Sequence, residues 1–374
     1  MKFSTSLIIP LLAMVVSYFV YCSSSPYYGK EIDYLQQHIN MDQKQENDSK
    51  NFTDFHNNLG IKFLNIRQID AARDEFNKAL KEDSLNKNST IHVSECDIFK
   101  NSSSSASDSD IEITNLSLIE LKKAMPEDPT VYMYLGDFNL IHHKLNTALD
   151  YYSKSLNLSH NSIAGAYEGK GLVYDDQNNL PLAYEMFKKA SELSEWNAGY
   201  YGSLAGICYE LKKYNESINK SQLACELNPN LLDQYISYSN SYRCIGKLED
   251  ALDIQKQQIS IMEKNDPITS SLNQIVTSFR SSPSHIVRLG PNYNQAEYYY
   301  YNIALTSFLL DKVKTREYRE YVDKANNLDI DLKVKSDVQQ ILNYDIENLQ
   351  KAQPKDIELR TKTNEFRKEY LTLI

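Results

Sequence analysis

Tyr132, Tyr167, Tyr201 and Tyr235 recur at spacings of 35, 34 and 34 residues, and sixteen residues after each comes a small residue: Ala148, Ala183, Ser217 and Ala251. A fixed period of this length constrains the fold more than any other feature of the chain, because it predicts helical units that bury their apolar faces only against their neighbours. An array of this kind presents a long surface and rarely carries its own chemistry.

The intervening residues support that reading. The first copy runs Tyr132, Leu135-Gly136, Ala148, Tyr152, Ser155, and the second Tyr167, Gly171, Tyr174, Ala183, Phe187, Ala190. The third is Tyr201, Leu204-Ala205, Cys208, Ser217, Ala224, Pro229, and the fourth Tyr235, Ser239, Tyr242, Ala251. Small residues at two fixed offsets let paired helices approach closely, and the aromatics fill the space between one pair and the next. Polar turn residues fall between the helices: Gln177-Asn178-Asn179, Lys212-Lys213 and Gly246-Lys247. Asp128-Pro129 ends one helix and starts another, since proline is tolerated in a first helical turn.

Earlier in the chain, His56, Leu59-Gly60, Phe63, Ala72, Phe76 and Ala79 repeat these spacings, with His56 in place of tyrosine. Residues 84–110 interrupt the array, and the Ser/Asn-rich run after Asn101 predicts an exposed insertion. After residue 265 the pattern decays. Ile268–Arg280 is compatible with a helix, Ser281–Asn294 is irregular, and Tyr300 with Ala304 restores the opening spacing. Leu332–Gln350 reads as a long amphipathic helix able to cap the array, followed by a charged helical tail. The expected organisation is a signal segment at 1–22, a polar tether at 23–50 with a short helix near Glu31–Asn40, and an isolated unit at 51–84. An insertion at 85–110, a main array at 111–265 and a degenerate repeat with capping helices at 266–374 complete it.

The quoted pattern resembles the tetratricopeptide repeat, strongly over 111–265, well over 53–84 and weakly over 296–327. The resemblance implies an all-α fold of helix-turn-helix units stacked in a right-handed superhelix, with the first helix of each pair lining a concave groove. Placing the family's groove offsets on this chain selects Asp137 and Leu140, then Glu168, Leu172 and Asp175, then Gly202, Gly206 and Tyr209, and finally Ile236, Asn240 and Arg243. Relatives that grip chaperone C-termini clamp a carboxylate with Lys and Asn. Here Met133 and Glu168 stand at the clamp-lysine offset and Asp137 and Leu172 at the Asn offset, so the groove departs from that clamp. A mildly acidic groove suits an extended or helical peptide with positive charge, with Asp137, Glu168, Leu172, Asp175, Tyr209, Asn240 and Arg243 as contact residues.

The N-terminus has Lys2 ahead of the apolar run Leu7–Tyr21. As a helix this run spans roughly 22 Å at about 1.5 Å per residue, short of a hydrocarbon core about 30 Å thick. That is the length of a secretory signal. Cys22 followed by Ser23, Ser24 and Ser25 resembles the lipidation site of bacterial lipoproteins, which implies cleavage before Cys22, acylation and a membrane anchor at the cell envelope. Tyr21 and Phe19 stand where that family usually carries a small residue and Leu, and a plain signal peptide or an uncleaved anchor are the competing readings.

The net charge of -10, from 50 acidic and 40 basic residues, argues against a nucleic-acid partner. No catalytic signature, phosphate-binding loop or zinc motif occurs. His142-His143 reads as a solvated helix end, and the acidic pairs Asp175-Asp176 and Asp108/Asp110 as turn residues, so no cofactor or metal is expected. Triplets at Asn47, Asn88, Asn101 and Asn157 fit the glycosylation pattern, as expected by chance in an Asn- and Ser-rich chain. Cys208 and Cys225 admit a disulfide in an oxidising compartment or, like Cys96 and Cys244, simple packing. The resulting expectation is a non-catalytic exported scaffold binding a protein or peptide, with surface-polymer handling, or an enzyme hidden in 267–374, as the other readings.

Overall fold

The computed structural model describes residues 49–65, 69–101, 108–229, 232–264, 295–310, 317–328 and 332–370. Cys22, the signal segment, nearly all of the tether, the serine run at 102–107 and the segment 265–294 lie outside the described residues. Among the described residues the secondary structure is entirely helical.

The helices pair in order: α1 (Ser49–Asn65) with α2 (Ile69–Glu82), α3 (Lys87–Asn101) with α4 (Asp108–Ala124), and α5 (Pro129–Ile141) with α6 (Leu145–Leu158). Then come α7 (Ala164–Asp176) with α8 (Leu180–Leu193), α9 (Ala198–Glu210) with α10 (Tyr214–Leu227), α11 (Gln234–Cys244) with α12 (Leu248–Lys264), and α13 (Gln295–Leu309) with α14 (Glu317–Asn326). Two further helices close the chain, α15 (Leu332–Ala352) and α16 (Ile357–Tyr370). The second helix of every pair packs on the first helix of the next, so the stack is continuous.

The predicted frame is the packing frame. Tyr132, Tyr167, Tyr201 and Tyr235 are buried, and Ala148, Ala183, Ser217 and Ala251 are fully buried. The glycines mark where backbone meets ring. A Cβ on Gly171 would lie 2.6 Å from Phe187 Cε1, and one on Gly136 would lie 2.5 Å from Tyr152 Cε1. In the third copy Ser217 fits because its hydroxyl donates to the Ala205 carbonyl at 2.9 Å.

The same period governs the turns. His143, Asn178, Lys212 and Gly246 all take positive φ, and each lies eleven residues after its frame tyrosine. Each ends its helix with a pair of backbone bonds, such as Lys213 N–H to Cys208 O at 2.8 Å and Lys212 N–H to Tyr209 O at 2.9 Å. This left-handed ending satisfies carbonyls that the helix leaves open. Asp128 starts α5 as read from sequence, accepting the Thr130 N–H at 2.9 Å ahead of Pro129.

The structure differs from the sequence reading over residues 85–110. Instead of an exposed insertion throughout, α3 occupies Lys87–Asn101 with Ser89, Ile91, Ser94, Cys96 and Ile98 buried. Its buried hydroxyls find acceptors, Ser89 at Asn57 Oδ1 (2.7 Å) and Ser94 at the Thr90 carbonyl (3.2 Å). This helix joins the unit at 51–84 to the main array. Phe76 stacks on His92 with ring centroids 4.9 Å apart, and Arg73 meets Asp97 at 2.7 Å. At the frame position His56 is buried and its Nδ1 lies 2.5 Å from Glu75 Oε2.

Candidate partner-binding groove

The first helices α5, α7, α9 and α11 contact one another in series and form one face of the stack. Asp137 on α5 is half-buried and accepts the Tyr152 hydroxyl at 2.8 Å. On α7, Glu168 is 2% exposed and accepts from the Ser203 hydroxyl at 3.5 Å. Leu172 is half-buried against Phe187, Leu204, Ile207 and Cys208, and Asp175 is buried. These four place three carboxylates on two adjoining helices of that face.

Tyr209, Asn240 and Arg243 form a second, fully buried group. Arg243 donates to Asn240 Oδ1, to the Asn302 carbonyl at 3.5 Å and to Thr306 Oγ1 at 3.4 Å. Asn240 in turn donates to the Tyr298 hydroxyl at 3.5 Å, and that hydroxyl donates to Asp345 Oδ2 at 2.5 Å. Helices α13 and α15 therefore cover this stretch. The electrostatics follow from burial. Tyr209 and Tyr298 are held protonated well above the usual tyrosine range, by desolvation first and by the Asp345 charge second. Beside them the Cys244 thiol is pushed up to about 11, again chiefly by burial, while Arg243 opposes the shift.

Sequence reasoning missed Glu210, Tyr298, Asn302, Tyr344, Asp345 and Gln353, which complete this cluster. One signal was present: Asp345 interrupts the apolar face of α15, between Val338, Ile341, Leu342 and Ile346, Leu349, all of them buried. A carboxylate on a core-facing stripe needs a partner within the fold.

The remaining candidates are simpler. His143 is the exposed turn residue and His142 packs on Phe138, with ring centroids 4.5 Å apart. Cys96, Cys208, Cys225 and Cys244 are free thiols in this structure. Among the described residues no helix is long and apolar enough to cross a membrane, and no cluster of metal-ligating side chains occurs.

No family model and no curated protein matches the sequence. Among solved structures, the Cut9–Hcn1 hetero-tetramer of the APC/C aligns with a TM-score of 0.56 at 12% identity, covering 86% of this chain and 57% of that one. Human IFIT1, solved as a dimer with PPP-AAAA, aligns at 0.55 and 13% identity, covering 84% and 68%. The TPR protein YrrB aligns at 0.39 and 19% identity, covering 66% and 97%. This chain thus spans little more than half the length of the Cut9–Hcn1 chain it matches. The first two likenesses concern the fold. Together with the repeat frame, the turn geometry and the serial helix pairing, they define an all-α tetratricopeptide solenoid.

Proposed function

We propose that this protein is a non-catalytic scaffold whose inner groove holds a protein or peptide partner carrying positive charge. One observation carries the reading: Asp137, Glu168 and Asp175 put three carboxylates on the adjoining inner helices α5 and α7. Glu168 and Asp175 lie beneath the surface, so they act on a partner through the field they set in a low-dielectric groove. Asp137 and Leu172 supply the nearer polar and apolar contacts. Fluorescence anisotropy with matched cationic and acidic peptides tests this. The cationic peptide is expected to bind more tightly, and Glu168→Gln with Asp175→Asn to weaken it by about tenfold, or about 1.4 kcal/mol. Equal binding of both peptides, or no effect of the double substitution, removes the groove assignment.

Lys2, the run Leu7–Tyr21 and Cys22 support export, with acylation of Cys22 tethering the scaffold at the cell envelope. In detergent phase partitioning, Cys22→Ala is expected to move the protein into the aqueous phase; retention in the detergent phase would show that Cys22 is not the anchor.

A further inference from the structure

A helix that only capped the stack would touch the last helix pair. Helix α15 instead crosses three successive inner helices. Tyr344 donates its hydroxyl to Glu210 at the end of α9. Asp345 accepts from Tyr298 on α13 at 2.5 Å. Gln353, just past the end of α15, donates to the carbonyl of Arg243 on α11 at 2.8 Å. Along the same helix Val338, Ile341, Leu342, Ile346 and Leu349 are buried to within a few per cent. This is a helix lying in a groove, with an apolar stripe for affinity and a polar pair for register.

We propose that the face spanning α9, α11 and α13 is a helix-docking site held in cis by α15. The partner it fits is an amphipathic helix that presents an adjacent Tyr–Asp pair within its apolar stripe. The proposal deepens the groove reading above and assigns a different chemistry to the C-terminal stretch. There the Tyr298 hydroxyl donates to the Asp345 carboxylate of α15, whereas the α5–α7 stretch is acidic.

Helix α15 packs more lightly on α11, α13 and α16 than the two helices of any pair pack on each other, and this marks the contact as one that exchanges. A helix of the same pattern supplied in trans makes the same contacts, so occupancy is set by relative affinity and effective concentration.

The test uses the full chain and a fluorescein-labelled peptide copying residues 332–353. Asp345→Asn in the chain weakens the cis helix and leaves the peptide intact. The peptide is expected to bind this variant about tenfold more tightly than the unaltered chain. Alkylation of Cys244, read by mass spectrometry, is expected to rise in the variant and to fall again when peptide is added. Adding Glu210→Ala removes the acceptor for Tyr344 and is expected to weaken peptide binding. Cys96 and Cys208, buried elsewhere, report folding. If they react as well, Tyr344→Phe replaces Asp345→Asn, since it deletes only the hydroxyl. Peptide that binds neither chain, binds both equally, or ignores Glu210 overturns the proposal. Glu168 and Asp175 play no part in this assay, so its failure leaves the groove reading standing, and the reverse also holds.

Discussion

Gly246 takes φ 81° in the turn where His143, Asn178 and Lys212 take 54°, 57° and 61°. Three copies tolerate a side chain there and one uses glycine, although an L-residue in this region is strained by roughly 1–2 kcal/mol. A Cβ on Gly246 would lie 3.7 Å from Gln353 Oε1, an ordinary contact. Gly246→Ala is therefore expected to cost about 1 kcal/mol from backbone strain alone, read as a lower urea midpoint with an unchanged slope. Gly171→Ala tests the opposite limit. Its backbone is helical, but the new Cβ would meet three Phe187 ring atoms at 2.6 to 3.0 Å. Overpacking of this kind costs about 1–3 kcal/mol, and Phe187→Leu in the same chain is expected to recover part of the loss. The small residue at this offset was legible in the sequence, because its reason is local. The left-handed turn was only partly legible, since Lys and His do not announce positive φ as Gly and Asn do.

Helix α13 shows how an element becomes buried on every side. Tyr298, Tyr299, Tyr300 and Tyr301 follow one another and are all buried. Successive residues on a helix point about 100° apart, so their hydroxyls go to four places: Asp345 on α15, Asp233 before α11, Glu263 on α12 and Asn326 on α14. Tyr299→Phe removes a donor from the buried Asp233, with an expected cost of about 1.5–3 kcal/mol, the range for a bond to a charged group. Tyr300→Phe is expected to cost under about 1 kcal/mol, because Glu263 is partly exposed and keeps Lys324 at 2.9 Å. Chemical denaturation of both variants, side by side, checks the ranking. Helix α3 makes the converse point. It was hidden in sequence because Ser89, Ser94 and Cys96 fill buried positions that a periodicity search assigns to large apolar residues. Ser94 finds its acceptor on the helix itself, whereas Ser89 donates to Asn57, a bond that appears only when the neighbouring helix is in place.

Over the whole molecule, four thiols and a set of buried tyrosines tie stability to pH. Burial pushes Cys96, Cys208 and Cys225 from about 9 up to about 12 and Cys244 to about 11. Tyr209, Tyr298 and Tyr299 are also raised well above 10, with burial the largest cause. In the folded chain these groups keep their protons at a pH where the unfolded chain has released them, so the native state binds more protons. Stability then falls with rising pH. Their contribution is complete below the unfolded thiol value near 9 and is lost as pH climbs through 11 and 12. The thermal midpoint is expected to hold between pH 7 and 8.5 and to drop progressively from pH 9 to 11. A midpoint that stays level across that upper range would show that the thiols and phenols ionise without opening the stack.

The period, the frame tyrosines, the small residues opposite them and the helix starting at Pro129 were all determined by the sequence itself. Each rests on spacings within one repeat, and a helix pair reads those spacings wherever it sits. Tertiary structure decided two other things: that the unit at 51–84 is joined to the array through α3, and that α15 lies across the inner face. Both depend on contacts between distant residues. Tyr344 and Glu210 are 134 positions apart, and no pattern within either helix encodes their meeting. The face formed by the first helices is therefore set by the repeat, while the part of it that α15 fills is set by how the last helices fold back.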